Sequence, residues 1–142
     1  MKSRTLCILK PDCVRRELIG KIIHHLEDND FKIKALKMVN LTKKIAEEFY
    51  KVHKGKSFFN NLIDFMTSGK SIVMVLESEN AVERLRDVIG ATDPKEAKEG
   101  TIRYMYAENK QNNVIHAADS KANAEREINF FFSTKELIEN DL

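Results

Sequence analysis

Thr5-Leu6-Cys7-Ile8-Leu9-Lys10-Pro11-Asp12 is an unbroken apolar run that stops at Lys-Pro-Asp. A short apolar stretch closed by turn residues reads as a buried strand, which delivers Lys10 to its end. Directly after it, Val14, Leu18, Ile22 and Leu26 recur at helical spacing, with Ile19 and Ile23 alongside. Cys13 to Leu26 therefore reads as one amphipathic helix, N-capped by Asp12, despite Gly20.

Beyond that helix, Phe31, Ile33 and Ala35 alternate with Lys32 and Lys34, a period of two that predicts a half-exposed strand running on towards Met38 and Val39. After Thr42, Ile45, Phe49 and Val52 line one short helix, and Phe59, Leu62, Ile63 and Met66 line the next. Ile72 to Leu76 predicts a central strand. Ala81, Val82, Leu85, Val88 and Ile89 predict a helix ending at Gly90. The charged, turn-rich stretch from Gly90 to Gly100 reads as an ordered surface loop. Val114 and Ile115 suggest a last short strand leading to His116. A helix follows Ser120, with Ala124, Ile128 and Phe131 or Phe132 on its inner face, and the polar tail from Ser133 is expected to be peripheral. This order fits an α+β fold, a ferredoxin-like βαββαβ antiparallel sheet with additional helices.

With 142 residues, 42% of them hydrophobic, the chain can bury one core but hardly two, so 1–142 is expected to be a single domain. A net charge of +2 leaves no bulk field for a dedicated nucleic-acid binder, although a locally positive pocket is compatible with it. The N-terminal apolar run ends at Leu9, too short for a signal segment, and no run approaches membrane-spanning length. Cys7 and Cys13 lie in apolar surroundings and form no C-x-x-C pair, as expected of reduced structural thiols in a soluble, cytoplasmic protein.

Gly55-Lys56-Ser57 and Gly69-Lys70-Ser71 resemble the end of a phosphate-binding P-loop. Neither has the required earlier glycine, since Tyr50 and Asp64 stand there, so both read as solvated loop lysines. Adjacent His24 and His25 point to different faces of a helix and cannot share a metal. His53, beside lysines, reads as structural or solvated. His116 ends an apolar strand, follows Asn112-Asn113, and has Asp119 and Glu127 close behind it.

The sequence resembles the nucleoside diphosphate kinase family over nearly its whole length. Thr5 to Asp12 matches the family's T-L-x-I-x-K-P-D opening, and Phe58-Phe59 with Asp64 to Gly69 matches F-F-x-x-L-x-x-[FY]-M-x-S-G. Gly90 to Pro94 and Gly100 to Arg103 match G-x-T-[ND]-P and G-T-[IL]-R, while Asn113 to Ser120 is similar to the N-x-x-H-G-S-D-S signature. The resemblance implies ping-pong transfer of a γ-phosphoryl group through a phosphohistidine at His116. Neutral imidazole is a competent nucleophile near neutral pH, which suits that role. It implies Glu127 as the partner of the other ring nitrogen, Lys10, Arg86 and Arg103 on phosphate charge, and Tyr50 with its hydroxyl near the histidine. It further implies Thr92 on the phosphates, Phe58 stacked on the base, and Lys10 and Asn113 on the sugar hydroxyls. Mg²⁺ would arrive on the nucleotide phosphates rather than in a protein cage. A homo-oligomer, hexamer or tetramer, is the implied assembly.

The chain departs from the family pattern beside the nucleophile, where H-G-S-D reads His116-Ala117-Ala118-Asp119. Ala117 lacks glycine's freedom at positive φ, and Ala118 lacks a hydroxyl that could support Glu127. Ser57 stands in place of the usual proline, and Tyr104-Met105-Tyr106 replaces a smaller, often acidic segment. Two other readings compete. One is a relative kept for binding nucleotides or a protein partner without turnover. The other is a ferredoxin-like single-strand nucleic-acid module using Phe58 and nearby lysines, which would show steep salt dependence and leave His116 idle.

Overall fold

The computed structural model of the chain describes residues 1–139. Strands β1 (Lys2–Leu9), β2 (Lys32–Val39), β3 (Ser71–Glu79) and β4 (Ile115–Ala117) form one sheet in the order β2-β3-β1-β4, with all neighbours antiparallel. The helices are α1 (Pro11–Arg15), α2 (Ile19–Asp28), α3 (Lys43–Phe49), α4 (Phe59–Met66), α5 (Ala81–Ile89), α6 (Ile102–Tyr106), α7 (Lys121–Phe131) and α8 (Thr134–Glu139), with a 3₁₀ turn at Lys51–His53. The ferredoxin-like α+β architecture is thus as expected.

The central strands β1 and β3 read as continuous apolar runs because both of their faces are covered. Leu6, Ile8, Val73 and Val75 pack into one core with Phe49, Phe59 and Phe131. Cys7, Leu9, Met74 and Leu76 pack into the other with Ile22, Leu26 and Leu85. Both cysteines are free and buried; burial first, then the charge of Cys13, pushes the Cys7 thiol up, and burial first, then the charge of Asp12, pushes Cys13 up to about 12. They are inert structural thiols, as read from the sequence.

The single helix expected over Cys13–Leu26 is interrupted. α1 has Pro11 in its first turn, where a missing N–H costs nothing, and Glu17 then takes φ +56°, which no right-handed helix can continue. Asp12 is not an N-cap. Lys10 holds that position, and the Asp12 carboxylate instead accepts from the Val114 peptide N–H at 3.1 Å.

In β2 the alternation is also broken. Ile33 pairs with Leu76 and Ala35 with the adjacent Val75, so Lys34 is an extra, bulged residue. The bulge exchanges faces: Phe31 and Ile33 join one core and Ala35 the other. Leu36 and Met38 are left about half exposed, at 48% and 51%.

Val114, expected in the last strand, lies just before it. Its φ is +64°, and Ile115 N–H donates to the Asn113 carbonyl at 2.8 Å, closing a three-residue γ-turn. A β-branched residue in the left-handed region is strained. The turn is held by the Asp12 bond, by Lys10 N–H donating to the Val114 carbonyl at 2.8 Å, and by complete burial of the valine side chain.

α6 and α8 left no readable period, being five and six residues long. Thr101 caps α6 by accepting from Tyr104 N–H. The tail after Ser133 is less peripheral than expected, since Leu137 packs on the core and Glu136 accepts from Lys37 Nζ at 3.0 Å.

Candidate active site

The ends of β1 and β4, the C-terminal end of α5, the α3–α4 connection and one face of α7 enclose a cleft of about 1020 Å³. Every site residue named from the sequence lines it. Lys10, Asn113 and His116 come from the sheet end, and Tyr50 and Phe58 from the α3–α4 side. Arg86, Thr92 and Arg103 come from α5 and the segment after it, and Glu127 from α7.

His116 sits on the short edge strand β4, paired with Ile8, so its backbone is fixed by the ladder. Its Nε2 lies 2.7 Å from Glu127 Oε1, and Glu127 is buried, only 5% exposed. An ionised carboxylate only accepts hydrogen bonds, so this contact places the ring proton on Nε2 and leaves the Nδ1 lone pair available. Phe49 holds the imidazole in an edge-on contact at 5.7 Å, and Tyr50 makes another at 6.3 Å. The Tyr50 hydroxyl is buried with no hydrogen-bond partner among the described residues. Burial, then the charge of Glu127, raises its pKa, so it stays a neutral donor.

The floor of the cleft is cationic. Burial, reinforced by Arg103, lowers Lys10 to about 8; burial, reinforced by Arg86, lowers Arg103 to about 10. Groups that depress one another's pKa in this way form a site short of an anion. Lys10 Nζ donates to Asn113 Oδ1 at 2.8 Å, and Asn113 Nδ2 donates to the Lys110 carbonyl at 2.8 Å. Arg103 is held by the carbonyls of Gly90 at 3.1 Å and Ile115 at 2.7 Å, while its buried Nε has no partner among the described residues. Thr92 is exposed on the loop after Gly90.

Away from that floor the lining turns apolar, with Val52, Phe58 and Leu62, and Phe58 is 45% exposed. His53, read from the sequence as structural or solvated, belongs to this wall. Its ring packs 5.3 Å from Phe58 and stacks at 6.5 Å on Tyr50. Sequence reasoning also missed Arg126, which lines the cleft beside Glu127; nothing in local periodicity marks it. Of the two Gly-Lys-Ser stretches, one follows the 3₁₀ turn and its exposed Lys56 also lines the cleft, while the other runs into β3, whose first residue is the buried Ser71. Among the described residues no cluster of His, Cys, Asp or Glu could cage a metal ion, and no helix is long and apolar enough to cross a membrane.

A cationic floor, a tautomer-fixed imidazole and an open apolar wall together suit phosphoryl transfer from a nucleotide. Comparison with known proteins agrees. A family model described as nucleoside diphosphate kinase matches residues 3–137. The chain is 54% identical to the nucleoside diphosphate kinase of Chlorobium chlorochromatii over 139 residues, covering 98% of this chain and 99% of the relative. It is 52% identical to that of Methanocaldococcus jannaschii, covering 98% and 99%. Among solved structures, the Aquifex aeolicus nucleoside diphosphate kinase superposes with a TM-score of 0.92 at 43% identity, covering 96% of this chain and 99% of that one. The Halobacterium salinarum nucleoside diphosphate kinase in complex with CDP also gives 0.92, at 38% identity, covering 96% and 91%.

Proposed function

The chain belongs to the nucleoside diphosphate kinase family of phosphotransferases, and from that premise we propose a ping-pong reaction through phosphorylated His116. The observation that carries this reading is the His116 Nε2 to Glu127 Oε1 contact of 2.7 Å, which leaves Nδ1 free inside a cationic cleft. Nδ1 attacks the γ-phosphorus of a nucleoside triphosphate. A phosphorus–nitrogen bond forms, the bond to the β-phosphate oxygen breaks, and the nucleoside diphosphate departs. Glu127 holds the Nε2 proton and offsets the positive ring. A second diphosphate then attacks with a terminal oxygen, the phosphorus–nitrogen bond breaks, and neutral His116 returns.

Lys10, Arg86 and Arg103 compensate phosphate charge, and the buried Tyr50 hydroxyl is a donor awaiting a phosphate oxygen. Asn113, coupled to Lys10, faces the sugar, Thr92 contacts the phosphates, and half-exposed Phe58 stacks on the base. Stacking tolerates any base, which accounts for broad nucleotide use. A cleft floored by cations suits Mg²⁺ that enters on the nucleotide phosphates as part of the substrate, where it neutralises further phosphate charge. The half-exposed Leu36 and Met38 on edge strand β2, and Tyr104 and Met105 on α6, support a homo-oligomer. Buried thiols support a reducing, cytoplasmic location.

Intact-mass measurement after incubation with ATP·Mg²⁺, followed by a chase with several nucleoside diphosphates, tests the reading. One added phosphoryl group, discharged by each diphosphate and absent in His116→Ala, is expected. Nucleotide binding without any label would sink it in favour of a binding-only relative.

A further inference from the structure

Glu127 is a buried carboxylate whose partners are unequal. Oε1 meets His116 Nε2 at 2.7 Å, but among the described residues Oε2 meets only Arg126, whose Nη2 lies 3.8 Å away. Arg126 and Glu127 are consecutive on α7, and neighbours on a helix ordinarily diverge. Here the guanidinium comes back towards the cleft because the Phe49 ring carries it, 5.7 Å below its central carbon. Phe49 is fully buried and is the same ring that packs edge-on against His116. One aromatic side chain therefore positions both the nucleophile and the cation behind the nucleophile's carboxylate.

We propose that Arg126 is a positioning residue: seated on Phe49, it orients the Glu127 carboxylate, so that His116 stays in the tautomer that exposes Nδ1. Without that cation, no charged neighbour among the described residues fixes Oε2, and the carboxylate is free to rotate. A rotated Glu127 no longer selects the Nε2–H tautomer. The partly exposed guanidinium makes the contact modest in strength, and its leverage comes from the buried side of the pair. This role rests on His116 being the phosphoryl acceptor, but the resting tautomer can be read without any turnover.

The test compares the wild type with Arg126→Met and Arg126→Lys, by nitrogen-15 NMR of the His116 ring in the free enzyme and by steady-state kinetics with ATP and a diphosphate acceptor. Arg126→Met is expected to mix the two tautomers and to lower kcat roughly threefold to tenfold with KM little changed. Arg126→Lys, which keeps the charge, should restore most of both. An unchanged tautomer, or a raised KM at constant kcat, would overturn the proposal and make Arg126 a nucleotide contact instead. Failure of the wild type to label at His116 would count against the phosphohistidine reading alone, because the NMR comparison stands apart from it.

Discussion

The peptide N–H of Val114 donates to Asp12 Oδ2 at 3.1 Å, tying the strained turn before His116 to the first turn of α1. That bond also works against the burial that raises the Asp12 pKa. Asp12→Ala leaves a buried N–H unpaired in a turn that already holds a valine at positive φ. A loss of about 1–3 kcal/mol in unfolding free energy is expected. Urea denaturation measures it. A parallel fall in kcat, without a matching rise in KM, would show that the turn positions His116; an unchanged kcat would show that β4 alone suffices.

On the proposed reading, in which Lys10 meets the nucleotide phosphates, nucleotide binding should depend on pH. Its folded value of about 8 lies below the ordinary 10.5, chiefly through burial. A bound polyphosphate favours the charged form, so binding takes up a proton near and above pH 8. Affinity should fall as pH rises through that region, by at most about tenfold per pH unit. Calorimetry in buffers of different ionisation enthalpy reads the proton uptake, and Lys10→Gln should bind more weakly with that uptake gone. Stability rises with pH between about 8 and 10.5, because the unfolded chain holds the Lys10 proton to higher pH than the folded one does. Below about 8 the folded protein carries the full cost of a buried ammonium, and between about 8 and 10.5 that cost is relieved as pH rises.

Gly90 ends α5 at φ +92°, and a Cβ there would lie 2.7 Å from Thr101 Cβ. Thr101 caps α6, and the Gly90 carbonyl accepts from Arg103. Gly90→Ala therefore combines backbone strain with overpacking and is expected to cost roughly 1–3 kcal/mol. Because the displaced segment carries Arg103, KM for nucleotides should rise as well. A thermal melt beside a nucleotide titration checks both effects.

Much of this protein is legible along the chain. The unbroken runs of β1 and β3 and the helical stripes of α5 and α7 follow from local pattern, and the site residues from Lys10 to Glu127 from the resemblance to the family. That pattern reports which side of an element is buried, and those elements bury one kind of surface from end to end. The Lys34 bulge, the positive φ at Val114 and the break at Glu17 do not show in it, because each reflects what a segment meets elsewhere.

The site divides in the same way. The resemblance to the family, carried by motifs in order along the chain, points to His116, Glu127 and the cations, and the chemistry of phosphoryl transfer suits those residue types. Only the tertiary structure brings Lys10 to Asn113 across 103 residues and Asp12 to Val114 across 102. Likewise only the fold seats Arg126 on Phe49, so that a side chain out of phase on its own helix faces the reactive pair. Sequence periodicity is a record of burial within an element. Hydrogen bonds and ring contacts between distant elements depend on register and packing, which no local window contains.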